Sequence, residues 1–193
     1  MEIMNMKRAI IIFLLIGALA AVAGCARWPD GPGPGPGGPE YQLEITVEVK
    51  GEINTDEGIY YIAFDADSNS IDGPDDDLNF WENDYYYIML DGTGFYFAQV
   101  KDSSESYFSG GSITGTNQFQ ITIAISDLGD PTRIDINVLT TDSDNNTYDH
   151  LDGYFTINTT VLGSTGEGVI SGGGTGGTDF DITKVTAVIT TLY

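Results

Sequence analysis

Asp65, Asp67, Asn69, Asp72 and the run Asp75-Asp76-Asp77 put six carboxylates and one side-chain amide between Phe64 and Leu78, with no cation among them. Like charges at this density repel unless something positive neutralises them. Oxygen donors of this kind suit a hard cation, calcium above all, whereas magnesium keeps more of its water. A second stretch, Asp142 to Asp152, again alternates oxygens through Asp142, Asp144 and Asn146. The candidate calcium ligands are therefore Asp65, Asp67, Asn69, Asp72 and Asp76 in the first loop and Asp142, Asp144 and Asn146 in the second. They make two sites, or one if the loops meet at an end of the fold. The Asp-x-Asp-x-Asn start resembles an EF-hand, but the sixth position is Ser70 rather than Gly and the twelfth is Asp76 rather than Glu. Solvated polar turns are the plainer reading of the same residues, because Asp, Asn and Gly favour turns.

Catalytic sets are harder to assemble. The chain has one cysteine, Cys25, and one histidine, His150. A Ser-His-Asp relay and a transition-metal cluster both lack companions for His150. Paired carboxylates are abundant, yet a small domain with acidic turns is a poor setting for glycoside hydrolysis. The expectation is a binding protein and not an enzyme.

The elements that must position these loops follow from composition and periodicity. In 193 residues, apolar side chains make up 41% and aromatics 11%, enough for one folded domain. Seven lysines and arginines against 29 acids give a formal charge of −22. Nucleic acid is therefore not an expected partner, since its phosphates need cations. A lone cysteine also precludes a disulfide within the chain.

Residues 1–24 read as a signal peptide: Lys7-Arg8, an apolar stretch Ala9 to Ala23, then small residues. Val22-Ala23-Gly24-Cys25 resembles the bacterial lipobox, which implies cleavage before Cys25 and its lipidation. Several acyl chains on one residue anchor stably to a membrane. The expected location is the cell envelope, outside the cytoplasm, and Ala26 after the cysteine permits the outer membrane. Residues 25–40 carry a Pro/Gly run from Pro29 to Pro39, which supports neither helix nor strand and reads as a tether.

Residues 41–193 form the domain. Tyr41 to Lys50 alternates strictly, with Leu43, Ile45, Val47 and Val49 on one face, as a half-buried strand does. Further strands are expected at Ile59–Phe64, Tyr85–Leu90, Phe95–Lys101, Asn117–Ile125, Arg133–Thr140, Gly153–Thr159 and Asp181–Tyr193, with only a short piece at Tyr107-Phe108. Asp91-Gly92-Thr93-Gly94 reads as a hairpin turn and Asp127 to Pro131 as a turn or one helical turn. Residues 161–178, rich in Gly, Ser and Thr, read as a loop or flexible spacer. Many short strands joined by Gly and Asp turns predict an all-β protein, an antiparallel β-sandwich of jelly-roll or immunoglobulin-like type.

Tyr61-Ile62-Ala63-Phe64-Asp65-Ala66-Asp67, the acidic loop, Asp84-Tyr85-Tyr86-Tyr87-Ile88 and the later Phe119 to Gly129 run together resemble the superfamily of family 9 carbohydrate-binding modules and DOMON domains. The resemblance implies a noncatalytic module that binds sugar, or in some DOMON members haem, often with structural metal. Sugar rings stack on Trp and Tyr faces while polar groups take the hydroxyls. Tyr85, Tyr87 and Met89 share one strand face, and Tyr86, Ile88 and Leu90 share the other. With Tyr61 and Trp81 nearby, the outward set makes a candidate platform: Trp81, Tyr85, Tyr87 and Tyr61. The family's slot resembles a space between two tryptophans, and this domain has only Trp81. Haem in that family resembles a Met/His ligation scheme, here Met89 and His150. His150 lies among carboxylates and Met89 suits core filling, so a haem-binding electron-transfer domain stands only as the third alternative. The expected function is a calcium-stabilised envelope lipoprotein that binds a glycan or polysaccharide. The alternative is a structural surface protein whose partner is another envelope protein.

Overall fold

A computed structural model describes residues 40–191 apart from Ser70, with only the backbone of Ser103. The signal peptide, Cys25 and all but the last residue of the tether lie outside the described residues. Among the described residues twelve strands form two antiparallel sheets packed as a β-sandwich, the fold class that the alternation predicts. They are β1 (Tyr41–Val49), β2 (Ile59–Asp65), β3 (Tyr86–Asp91), β4 (Gly94–Gln99), β5 (Asp102–Tyr107), β6 (Gly111–Ile113), β7 (Gln118–Ala124), β8 (Arg133–Thr141), β9 (Thr147–His150), β10 (Phe155–Asn158), β11 (Thr165–Glu167) and β12 (Ile182–Thr191).

One sheet runs β11-β12-β1-β7-β6; the other runs β10-β8-β2-β3-β4-β5, with β9 also paired to β8. Leu43, Ile45, Val47 and Val49 of β1 are fully buried and face Ile62, Phe64, Ile134, Ile136 and Val138 of the seven-stranded sheet within one core. Alternation sets this directly, because one residue of slip would turn every apolar side chain to water. Tyr60 closes one end of the core. Its hydroxyl donates to the Asp179 carbonyl at 3.0 Å and accepts from the Asn54 amide at 2.9 Å, so its burial leaves no orphan polar atom.

The structure adds strands that periodicity does not reveal. β5 is Asp-Ser-Ser-Glu-Ser-Tyr, a polar edge strand whose ladder to β4 is broken by a register shift near Gln99, so only Tyr107 carries a strand-like signal in the sequence. β9 lies inside the second acidic stretch and owes its pairing to β8. The Gly-rich stretch 161–178, expected as a loop or spacer, contains β11 and then docks against β9. Asp149, buried, accepts from the Ser171 hydroxyl at 3.0 Å and the Ile182 amide at 2.7 Å. A Cβ on Gly176 would stand 2.3 Å from the Tyr148 ring, so the absence of a side chain there permits the contact. The Asp127 turn is a short 3-10 turn, Ile125–Leu128, closed by Gly129 at φ 84°.

β2 and β8 pair from Ile59 opposite Thr141 to Asp65 opposite Asp135. Asp65 and Asp142 therefore stand at opposite ends of this ladder, about 20 Å apart at a strand's rise per residue. The Asp65 and Asp142 ends of the two acidic stretches thus do not form one site, although the far end of the first loop reaches the second stretch through Asp76.

Candidate functional site

The outer face of the seven-stranded sheet, away from the core, carries the residues of interest. On β2 the outward positions are Ile59, Tyr61, Ala63 and Asp65; on β8 they are Asp135, Asn137, Leu139 and Thr141. The long connection from β2 to β3 folds back over this face. Asn137, fully buried in mid-strand, holds it there: its Nδ2 donates to the Pro74 carbonyl at 2.9 Å and its Oδ1 accepts from the Val138 amide at 2.8 Å.

At the start of that connection, Asp65 is 3% exposed. Carboxylate oxygens of Asp65, Asp67 and Asp72 all lie within 4.8 Å of one another. The Asp65 carboxylate accepts from the Asp67 amide at 3.0 Å, and Asp67 in turn accepts from the Asn69 amide. Asn69 Nδ2 donates to Asp72. Asp65 faces Asp135 across the ladder, but the Arg133 guanidinium is committed to Asp135, at 2.8 and 2.7 Å from its two oxygens. Burial, reinforced by the carboxylates of Asp67, Asp135 and Asp72, pushes Asp65 up to about 6 despite the Asp67 amide. The arrangement gathers Asp65, Asp67 and Asp72 of the expected ligands, with Asn69 bound to them. Three carboxylate oxygens gathered this closely could hold a hard metal ion.

Asp76 belongs elsewhere. Its carboxylate lies 3.5 Å from His150 Nε2, and its main-chain carbonyl accepts from the Thr147 hydroxyl at 3.2 Å. A hydrogen bond with the adjacent Asp75 carboxyl raises its pKa, burial adds to this, and His150 opposes it. The second loop is closed on itself. Asp142 Oδ1 accepts from the amides of Asp144 and Asn146, both at 2.8 Å, and Oδ2 accepts from Asn146 Nδ2 at 2.7 Å. These hydrogen bonds hold the Asp142 carboxyl below its usual range. Asp142 thus directs both oxygens to the loop's own N–H groups, and Asn145 in the left-handed region at φ 65° completes the turn.

Further along the connection, a short 3-10 turn, Leu78–Phe80, is capped by Asp77, whose carboxylate accepts from the Asn79 amide at 2.9 Å. This turn delivers Trp81, whose Nε1 donates to the Asp75 carbonyl at 2.9 Å. The indole meets Tyr61 edge-on, with centroids 5.8 Å apart at 87°, and Tyr87 at 5.9 Å and 46°. Beneath them Tyr61, Met89 and Leu139 form a small second core, bordered by Leu78 and Tyr96. On β4 and β5, Tyr96 meets Tyr107 edge-on at 6.2 Å. An aromatic strip in two groups thus lies on this face, Trp81 with Tyr61 and Tyr87, and Tyr96 with Tyr107, bridged by the Met89 and Leu139 side chains on which Tyr87 and Tyr96 both pack. Tyr107, at one end, is 72% exposed, and Phe80, the residue before Trp81 in the chain, is 69% exposed. Polar groups border it. Tyr87 donates to Glu105 at 3.1 Å, Thr93 to the Tyr96 hydroxyl at 3.0 Å, and Tyr61 to the Asn145 side-chain oxygen at 3.5 Å.

The structure thus brings Tyr61, Trp81 and Tyr87 together. Tyr85 is not part of their cluster: it is buried, and burial followed by the Asp65 charge raises its phenol, which places it beside the acidic group. Tyr96, Tyr107 and Glu105, which the sequence did not single out, join the strip. Alternation along β4 already turns Tyr96 outward opposite Met89, but the bulged β5 hides Tyr107.

Met89, Tyr61, Leu139 and His150 form one cross-strand row. Met89 and His150 are thus three strand spacings apart, about 14 Å, with Tyr61 and Leu139 between them. His150 Nδ1 is also 2.6 Å from the Leu151 carbonyl. This geometry does not offer the two residues as axial ligands of one iron.

No family model matches the chain, and no curated protein or solved structure matches it.

Proposed function

We propose that the protein is a noncatalytic carbohydrate-binding module of the cell envelope, held by a lipidated Cys25 and braced by calcium at Asp65, Asp67 and Asp72. The observation that carries this reading is the aromatic strip. Trp81, Tyr87 and Tyr96 are half-buried and Tyr107 is exposed on one sheet surface, bordered by hydroxyl, carboxylate and amide groups. Apolar sugar faces stack on such rings, and the polar border takes hydroxyls. The resemblance of the runs Tyr61 to Asp67, Asp84 to Ile88 and Phe119 to Gly129 to family 9 modules and DOMON domains leans toward the same reading. Calcium would act as a brace away from the strip, neutralising the carboxylates that begin the connection carrying Trp81.

Protein recognition by another envelope component is the second reading, favoured by the large exposure of Phe80 and Tyr107. A glycan array with affinity electrophoresis on polysaccharides separates the two. Retardation that disappears in Trp81→Ala supports the sugar reading, and indifference to every polymer tested refutes it.

A further inference from the structure

The opposite face of the sandwich holds a groove of different chemistry. It lies on the outer side of the five-stranded sheet, with a cavity of about 490 Å³, within the usual size range of small-molecule sites. Its lining includes Glu44, Thr46, Thr165, Glu167, Thr186 and Val188. The ladder fixes their layout. Glu44 pairs with Val188, which pairs with Thr165; one row on, Thr46 pairs with Thr186, which pairs with Glu167. Gly166 between them faces the Phe155 ring, so Thr165 and Glu167 project to the outer side.

Two carboxylates therefore stand on opposite sides of the groove and one row apart. Between them on β12 lie Val188 and Thr186, with Thr46 and Thr165 on the flanking strands. No aromatic ring lines the groove, so it is not a second copy of the strip. Further along the same face Glu48 is paired with Lys184 at 3.6 Å, whereas among the described residues Glu44 and Glu167 have no cationic partner. Carboxylates at both ends of an apolar and hydroxylic floor complement a chain with ammonium groups separated by methylenes. The overall charge of −22 concentrates such cations near the surface.

We infer that this groove binds a linear polyamine, with ammonium groups at Glu44 and Glu167 and its methylenes over Val188. The inference does not depend on the sugar reading, because the two sites occupy opposite sheets. Calorimetric titration of the full chain with spermidine tests it at moderate salt. Saturable one-to-one binding is expected. Glu44→Gln and Glu167→Gln should each weaken it about tenfold or more, the loss of one charge-assisted contact. Val188→Lys, which places an ammonium in the groove while keeping both carboxylates, should abolish it. Glu52→Gln and Asp127→Asn, exposed acids outside the groove, and Trp81→Ala should change it less than twofold on the same scale. Equal weakening by the outside acids, or binding that never saturates, overturns the inference in favour of diffuse attraction to an acidic surface. Circular dichroism melts confirm that each variant is folded before titration.

Discussion

Asp65 and Asp135 stand directly opposite one another in the β2–β8 ladder, yet only Asp135 has a cation, Arg133. One buried carboxylate is compensated and its neighbour is not.

That asymmetry predicts a pH dependence with a definite sign. Asp65 is raised to about 6 in the folded chain from an ordinary 3.8. Its contribution to stability is therefore fully present below pH 3.8 and is lost as pH rises through 6. In chelator, this loss should appear in denaturant melts between pH 4 and 7. Calcium should offset it at pH 7 and do little at pH 4, where the carboxyl is protonated. Asp65→Asn should remove both the pH-dependent loss and most of the calcium increment. Identical melts with calcium and chelator at pH 7 would exclude the brace.

Asn137 fastens the connection to the sheet through the Pro74 carbonyl. Asn137→Ala leaves that buried site without its donor and should cost about 1–3 kcal/mol in chemical denaturation. It should also increase amide exchange in residues 74–81, because the connection loses its central tie. An unchanged exchange pattern would mean that Trp81 and Leu78 suffice to hold the segment.

Trp81→Ala should weaken glycan binding by about 2 kcal/mol, roughly thirtyfold, as loss of a central aromatic anchor does. Tyr107→Ala, at the exposed end of the strip, should weaken it less. Neither change should alter the calcium dependence of melting, since the acidic group contacts neither ring. Affinity electrophoresis and calorimetry read the first effect, and chelator melts read the second.

Gly176 and Gly172 lie in the same Gly-rich stretch but should respond oppositely. A Cβ at Gly176 meets the Tyr148 ring at 2.3 Å, whereas one at Gly172 meets nothing within 4 Å. Gly176→Ala should destabilise by about 1–3 kcal/mol through overpacking. Gly172→Ala should be neutral or stabilise by about 0.5 kcal/mol through the unfolded chain. Equal Tm values for the two variants would mean that the stretch is not docked on β9.

The β-sandwich was legible because period-two burial is a local property. Leu43, Ile45, Val47 and Val49 announce the inner face of β1 before any partner is known, and Phe119, Ile121 and Ile123 do the same for β7. The aromatic face was half legible. Alternation separates Tyr87 from Tyr86 and Ile88, but it does not say which set faces the core. Strands whose pairing is imposed from outside carry no such local signal. β5 and β9 are polar, and they hydrogen-bond because β4 and β8 present them with open edges.

By itself the sequence determined the alternating strands, the acidic loop after Phe64 and the excess of negative charge, each of them readable from neighbouring residues. Only the tertiary structure decided which oxygens and rings meet. Asp65, Asp67 and Asp72 converge because the chain turns at once after β2, while Asp76 is carried away to His150. Asp142 stays apart at the other end of the ladder, because antiparallel pairing of β2 with β8 puts the exit of one strand beside the entrance of the other. Trp81 reaches Tyr61 and Tyr87 because Asn137 and the Asp77 cap lay the connection across the sheet. Spacing along a chain sets what a single turn can gather, as with Asp65, Asp67 and Asp72, but strand order and register set what is opposite, as with Tyr61 and its neighbours across the sheet.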